Sequence, residues 1–139
     1  MRPHSLPRVV LATFGTHGDL HPFLAVALAL KHRGIDAVIA AAEIYREKIE
    51  AEGIVFHHMR PDLDVVGSRL RMDQQTIARK VAQRPEFIIE DILLPHLRES
   101  FDDAMSATSD ADLVVTQDLC AVCAVDVSPR VLLTQATSA

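Results

Sequence analysis

The segment that most constrains this chain is FGTHGDLHP (Phe14–Pro22), a turn that crowds two glycines, a threonine, two histidines and an aspartate together. Before it, RVVLATF (Arg8–Phe14) is apolar and does not alternate, as suits a strand buried on both faces of a parallel sheet. After it, PFLAVALALKHRG (Pro22–Gly34) places proline at or near a first helical position and ends on a basic turn and a glycine. Those are helix start and stop signals. A buried strand entering a helix through a glycine bend is the opening unit of a doubly wound sheet, where ligands bind at the carboxyl ends of the strands.

The same grammar repeats downstream. DAVIAAA (Asp36–Ala42) reads as a second strand, EIYREKIEAEG (Glu43–Gly53) as a glycine-terminated helix and IVFHHM (Ile54–Met59) as a third strand. Such alternation predicts βαβαβ with right-handed crossovers. The pattern then loosens. RPDLDVVGSRLRMDQQ (Arg60–Gln75) is polar and turn-rich, with only its last residues leading into helix. Helices are expected over about Gln74–Gln83 and Glu86–Ala107, the second kinked or divided at Pro95. SDADLVVTQD (Ser109–Asp118) returns to strand, LCAVCAVDV (Leu119–Val127) has room for two helical turns, and RVLLTQ (Arg130–Gln135) reads as a fifth strand. The expected fold is α/β: an open, mostly parallel Rossmann-like sheet with helices on both faces. The short final crossover and the stop soon after the fifth strand suggest that residues 1–139 are an incomplete N-terminal domain.

Composition narrows the function classes. With 49% apolar and 24% charged residues, the 139-residue chain can bury a core. A net charge of −5 and scattered Lys and Arg argue against a nucleic-acid partner. Pro7 and Arg8 interrupt any apolar leader, and no run reaches the roughly 18 apolar residues that span a bilayer. A cytoplasmic location is the expectation. The turn reads GTHGD, not GxGxxG, and no acidic residue ends the second strand, so a dinucleotide site is poorly supported.

Four segments in order carry a family resemblance: FGTHGDLHPFLAVALALKHRGIDAVIAA, RPDLD (Arg60–Asp64), ILLPHLRESFDD (Ile92–Asp103) and ADLVVT (Ala111–Thr116). Together they resemble the N-terminal domain of family 28-type glycosyltransferases. This UDP-glycosyltransferase group has the GT-B fold and includes sterol glucosyltransferase and rhamnosyltransferase relatives. The resemblance implies inverting transfer of a hexosyl group from a nucleotide sugar to an acceptor hydroxyl on a lipid, sterol or other hydrophobic small molecule. It implies no metal and no cofactor. The UDP- or dTDP-sugar is a co-substrate held by a C-terminal domain absent from this chain. If the acceptor is a lipid, peripheral membrane contact follows.

In the family, the residue after the second glycine of the turn is the catalytic base, which places that role on Asp19. A carboxylate there would take the acceptor's proton as its oxygen attacks the anomeric carbon. Read without the resemblance, Asp19 is better explained as a cap of the helix near Pro22 than as a base. Gly15, Thr16, His17, Gly18 and His21 surround it and are the expected substrate-binding residues. His17 and His21 have two further readings: a metal site with Asp19, short of ligands, or ordinary loop histidines. Some relatives orient the base with an aspartate after the fourth strand. That makes Asp118 a second catalytic candidate, against a surface turn.

Two readings from other function classes stand beside this one. The chain is also readable as a non-catalytic module that binds an acceptor or a partner. Cys120 and Cys123 form a CxxC at a strand-to-helix junction, as in thiol-redox proteins, although their small apolar neighbours suit a buried helix face better. On the transferase reading, the helical region Phe87–Phe101 and the loop Arg60–Gln75 border the acceptor pocket. The isolated chain is expected to be inactive, and the exposed sheet edge is expected to favour self-association or a partner chain.

Overall fold

The structure, a computed structural model, describes residues 6–14, 17–117 and 131–134. Its centre is a five-stranded sheet, all parallel, in the order β3–β2–β1–β4–β5. The strands are β1 (Arg8–Ala12), β2 (Asp36–Ala41), β3 (Val55–His58), β4 (Leu113–Gln117) and β5 (Val131–Thr134). The chain lays down β1, β2 and β3 in one direction, then returns to place β4 on the other side of β1. The gap between the carboxyl ends of β1 and β4 is therefore the topological switch point, where open sheets bind ligands.

Both faces are covered, and each strand divides its side chains between them. Val9 and Leu11 of β1 point, with Ala37, Ile39 and Phe56, onto α1 (His17–His32) and α2 (Arg46–Ala51). There they meet Leu20, Phe23, Leu24, Ala27, Tyr45 and Ile49. Val10, Ala12, Val38 and Ala40 point to the other face, against α3 (Leu63–Leu70), α4 (Gln74–Gln83) and α5 (Leu97–Thr108). Leu11, Leu20, Ile39 and Ile49 are completely buried, each contributing about 1.5–3 kcal/mol of burial free energy. A sheet shielded on both sides explains the unalternating apolar strands.

Two helical segments depart from the sequence reading, and a third divides where Pro95 led one to expect it. First, α1 begins at His17, not Pro22, so Pro22 lies inside the helix. Proline removes only the bond to the Gly18 carbonyl, and Gly18 is exposed, so water can meet that oxygen. Second, the expected loop Arg60–Gln75 contains α3. Its end was hidden because Arg71, not glycine, takes the left-handed conformation there, with Met72 N–H donating to the Gly67 carbonyl. Gly67 is needed inside α3 because a Cβ would stand 2.7 Å from the Met72 carbonyl oxygen. Third, the long helix Glu86–Ala107 is divided into a π-helical turn (Ile88–Leu93), a 3-10 turn (Leu94–His96) and α5. The break falls at Pro95, which has no N–H to donate. The Gln74–Gln83 helix appears with the bounds expected, capped by Asp73, which accepts from Thr76 N–H at 2.7 Å.

Candidate functional site

The carboxyl rim of the sheet gathers the polar groups of interest. Thr13, just past β1, and Thr116 on β4 are buried at 4% and 0% exposure on either side of the switch point. Buried hydroxyls in a wall otherwise aliphatic mark the carboxyl-end limit of the apolar sheet core. From β1 the chain enters α1, whose first turn holds Asp19, a half-buried residue. The amino end of a helix carries partial positive charge, which favours a carboxylate there.

Beside Asp19 stands Tyr45, the only tyrosine of the chain. It ends a 3-10 turn (Glu43–Tyr45) that leaves β2 and is 8% exposed. Burial pushes its phenol above the ordinary value, and the negative charge of Asp19 pushes it further. The two residues therefore sense one another at the rim. His21, one turn along α1, is exposed and accepts from Lys48 Nζ of α2 at 2.6 Å.

The end of β3 adds a second polar group. His58 Nε2 is 2.7 Å from Asp62 Oδ2, and Asp62 Oδ1 accepts from the Glu43 N–H at 2.8 Å. Asp62 stands at the start of α3 yet makes no side-chain cap to that helix. Next to it, the Arg60 guanidinium donates to both carboxylate oxygens of Asp103 on α5, at 2.8 and 2.9 Å, and Arg60 N–H donates to Oδ2 at 2.9 Å. Burial pushes the Asp103 carboxyl up, but the Arg60 hydrogen bonds and charge outweigh it and hold it below the usual carboxylate value. The Arg60–Pro61 peptide between these anchors is cis.

Of the residues expected from sequence, Gly18, Asp19 and His21 lie together in the first turns of α1, which His17 opens. Gly15, Thr16, Asp118, Cys120 and Cys123 lie outside the described residues. Thr13, Tyr45, Thr116 and the His58–Asp62 pair were missed. The only available signals were Tyr45's uniqueness and the placement of threonines at the ends of buried strands. Among the described residues, no group of three or more His, Cys, Asp or Glu could hold a metal ion. No helix among them is long and apolar enough to cross a membrane. A hollow of about 910 Å³ lies at the opposite, amino end of the strands. On its wall Arg8 Nη1 donates to Asp36 Oδ2 at 3.0 Å, the Arg8 main-chain N–H donates to Asp112 Oδ2 at 2.8 Å, and Lys31 donates to the Gly53 carbonyl at 2.9 Å. Arg8 Nε is buried with no hydrogen-bond partner among the described residues.

Residues 9–100 match the glycosyltransferase family 28 N-terminal domain. A 57-residue stretch is 35% identical to O-mycaminosyltylonolide 6-deoxyallosyltransferase of Streptomyces fradiae, covering 41% of this chain and 14% of that protein. A 45-residue stretch is 40% identical to UDP-sugar-dependent glycosyltransferase 52 of Dictyostelium discoideum, covering 32% of this chain and 3% of that protein. Among solved structures, the calicheamicin glycosyltransferase CalG4 superposes with a TM-score of 0.62 at 18% identity, over 92% of this chain and 32% of its own. The Streptomyces sp. SF2575 glycosyltransferase SsfS6, solved with thymidine diphosphate, superposes at 0.60 and 18% identity, over 93% and 38%. The chain thus spans between about a third and two-fifths of these solved relatives and less of the curated ones. The α/β sheet is that of a GT-B glycosyltransferase N-terminal half, and the chain belongs to the glycosyltransferase family 28 N-terminal domains.

Proposed function

We propose that this domain is the acceptor side of an enzyme that moves a hexosyl group from a nucleotide sugar to the hydroxyl of a hydrophobic small molecule, a lipid or sterol among them. The single observation that carries the reading is the position of Asp19: in the first turn of α1, at the carboxyl rim of the sheet and within electrostatic reach of Tyr45. Asp19 acts as the general base. As the acceptor oxygen attacks the anomeric carbon, its proton passes to the Asp19 carboxylate and the nucleoside diphosphate leaves with the bonding electron pair. Gly15, Thr16, His17, Gly18 and His21 line the acceptor, and Asp118 orients the base. The nucleotide sugar, UDP- or dTDP-linked, binds a second domain, so the 139-residue chain alone does not turn over donor. The reaction belongs to the cytoplasm, where the donor is made.

The test joins this domain to the donor-binding half of a solved relative and measures transfer to a panel of hydrophobic alcohols. In an active chimera, Asp19→Asn lowers kcat about 10²–10⁴-fold, the usual contribution of a general base. Near-normal turnover would reassign Asp19 to holding the end of its helix.

A further inference from the structure

The RPD segment is prominent in the sequence, yet the chemistry above gives it no role. Its two charged side chains reach in opposite directions. Arg60 grips α5 through Asp103, and its carbonyl accepts from Ser100 Oγ at 2.7 Å. Asp62 grips the turn after β2 through Glu43 N–H, and the end of β3 through His58. The Asp62 side chain is only 11% exposed, and it forgoes capping α3 to make these contacts. Both of its oxygens are used, one by a main-chain donor and one by an imidazole. The turn it holds begins at Glu43 and ends two residues later at Tyr45, against α1.

We propose that Arg60–Pro61–Asp62 is a brace, and that Asp62 is a positioning residue: its carboxylate fixes the Glu43–Tyr45 turn against the Asp19 end of α1 and couples that turn to α5. The proposal rests on the proposed reading for its catalytic consequence but not for its geometry. Asp62 touches no reacting atom. It acts through the Glu43 N–H, which loses its tie to the start of α3 if the carboxylate is removed, and through the ring of His58.

Because Tyr45 is the only tyrosine and the chain has no tryptophan, phenolate absorbance reads this one site in the intact 139-residue protein. In the wild type the phenol titrates above its ordinary value of about 10. Asp62→Ala is expected to move it back toward that value, because the released turn leaves both the buried position and the neighbourhood of Asp19. Asp62→Asn, which still offers an oxygen to Glu43 N–H, is expected to restore most of the shift. A second pair of variants isolates the hydrogen bond should Asp62→Ala unfold. Glu43→Pro deletes the N–H at a first helical position, where proline is well tolerated, after an Ala42 already extended at φ −63° and ψ 151°. Glu43→Ala removes the same carboxylate and keeps the N–H. Glu43→Pro should lower the Tyr45 titration and Glu43→Ala should leave it near wild type.

Equal titration of Tyr45 in wild type, Asp62→Ala and Glu43→Pro, with native circular dichroism, would overturn the brace. So would equal shifts in Glu43→Pro and Glu43→Ala. In the active chimera, the brace variants should lower kcat about tenfold while leaving donor KM unchanged, a pattern general destabilisation would not give. Should Asp19→Asn prove fully active while the Tyr45 shifts appear as described, the brace would stand and the base assignment would fall.

Discussion

The two halves of the described chain both pack apolar side chains on the sheet, and the second adds polar ties to that packing. From Arg8 to Met59 the structure is a close-packed alternation of strands and helices, and its completely buried side chains are aliphatic: Leu11, Leu20, Ile39 and Ile49. Between Arg60 and Thr108, Val66 and Ile92 are equally buried in the core on the other face of the sheet, and polar pins are added to that packing. Arg60 holds Asp103, Arg84 holds Asp91 at 2.8 Å, and the Arg69 guanidinium donates to buried His96 at 3.1 Å. The same stretch exposes Ile89, Leu94, Leu97, Phe101 and Met105. A polar tie in the second half can be removed with the apolar core beneath it left in place, whereas a side chain of an embedded strand touches neighbours on every side.

This contrast can be broken experimentally, beginning with the largest effect. Leu11→Ala, at the centre of β1 and wholly buried, should cost about 2–5 kcal/mol of unfolding free energy by denaturant titration. A loss below about 1 kcal/mol would mean that the first half is not the tightly packed one. Arg60→Met should cost about 1–2 kcal/mol. Charge-assisted hydrogen bonds are worth about 1.5–3 kcal/mol, and the 40% exposed Arg60 side chain reduces that. The same pair supplies a pH test. Asp103 has a folded-state value below the unfolded one of about 3.9, so its contribution is complete above about pH 4. It drains away as pH falls through the depressed native value, and the Arg60→Met protein should lose less stability over that acid range than wild type. Gly34→Ala should cost about 1 kcal/mol, since Gly34 has φ +74° with open space around it and only the backbone conformation is penalised. At the small end, Phe101→Ser on the exposed side of α5 should stay within about 0.5 kcal/mol. A large loss at Phe101 would show that its ring is part of the second core.

The first half was legible from sequence because each of its elements announces itself locally. β-branched runs made β1 and β2, and Gly34 and Gly53 follow the helices as expected. The second half was less legible because its boundaries are tertiary. α3 ends on a left-handed Arg71, with Met72 N–H closing onto Gly67, and no residue type signals that. The site divided in the same way. Asp19 could be singled out because it follows the second glycine of the turn, the position at which the family resemblance places the base. Tyr45 and Asp62 could not, since they are 26 and 43 positions away and reach the rim only when β2 and β3 pair with their neighbours. Proline 22 misled for a related reason. Its local meaning is a helix start, but here it lies inside the helix, and the residue whose carbonyl it fails to pair, Gly18, is exposed.

The amino-acid sequence alone determined the parallel α/β architecture, the strand that opens it and the bend where an acidic side chain could work. Those follow from short-range patterns of apolar and glycine residues, which act before any long-range contact forms. Tertiary structure decided which side chains surround that bend, which carboxylate spans two loops, and which helix ends are tied together. Such facts depend on strand order, and strand order joins residues whose spacing along the chain carries no trace of their proximity.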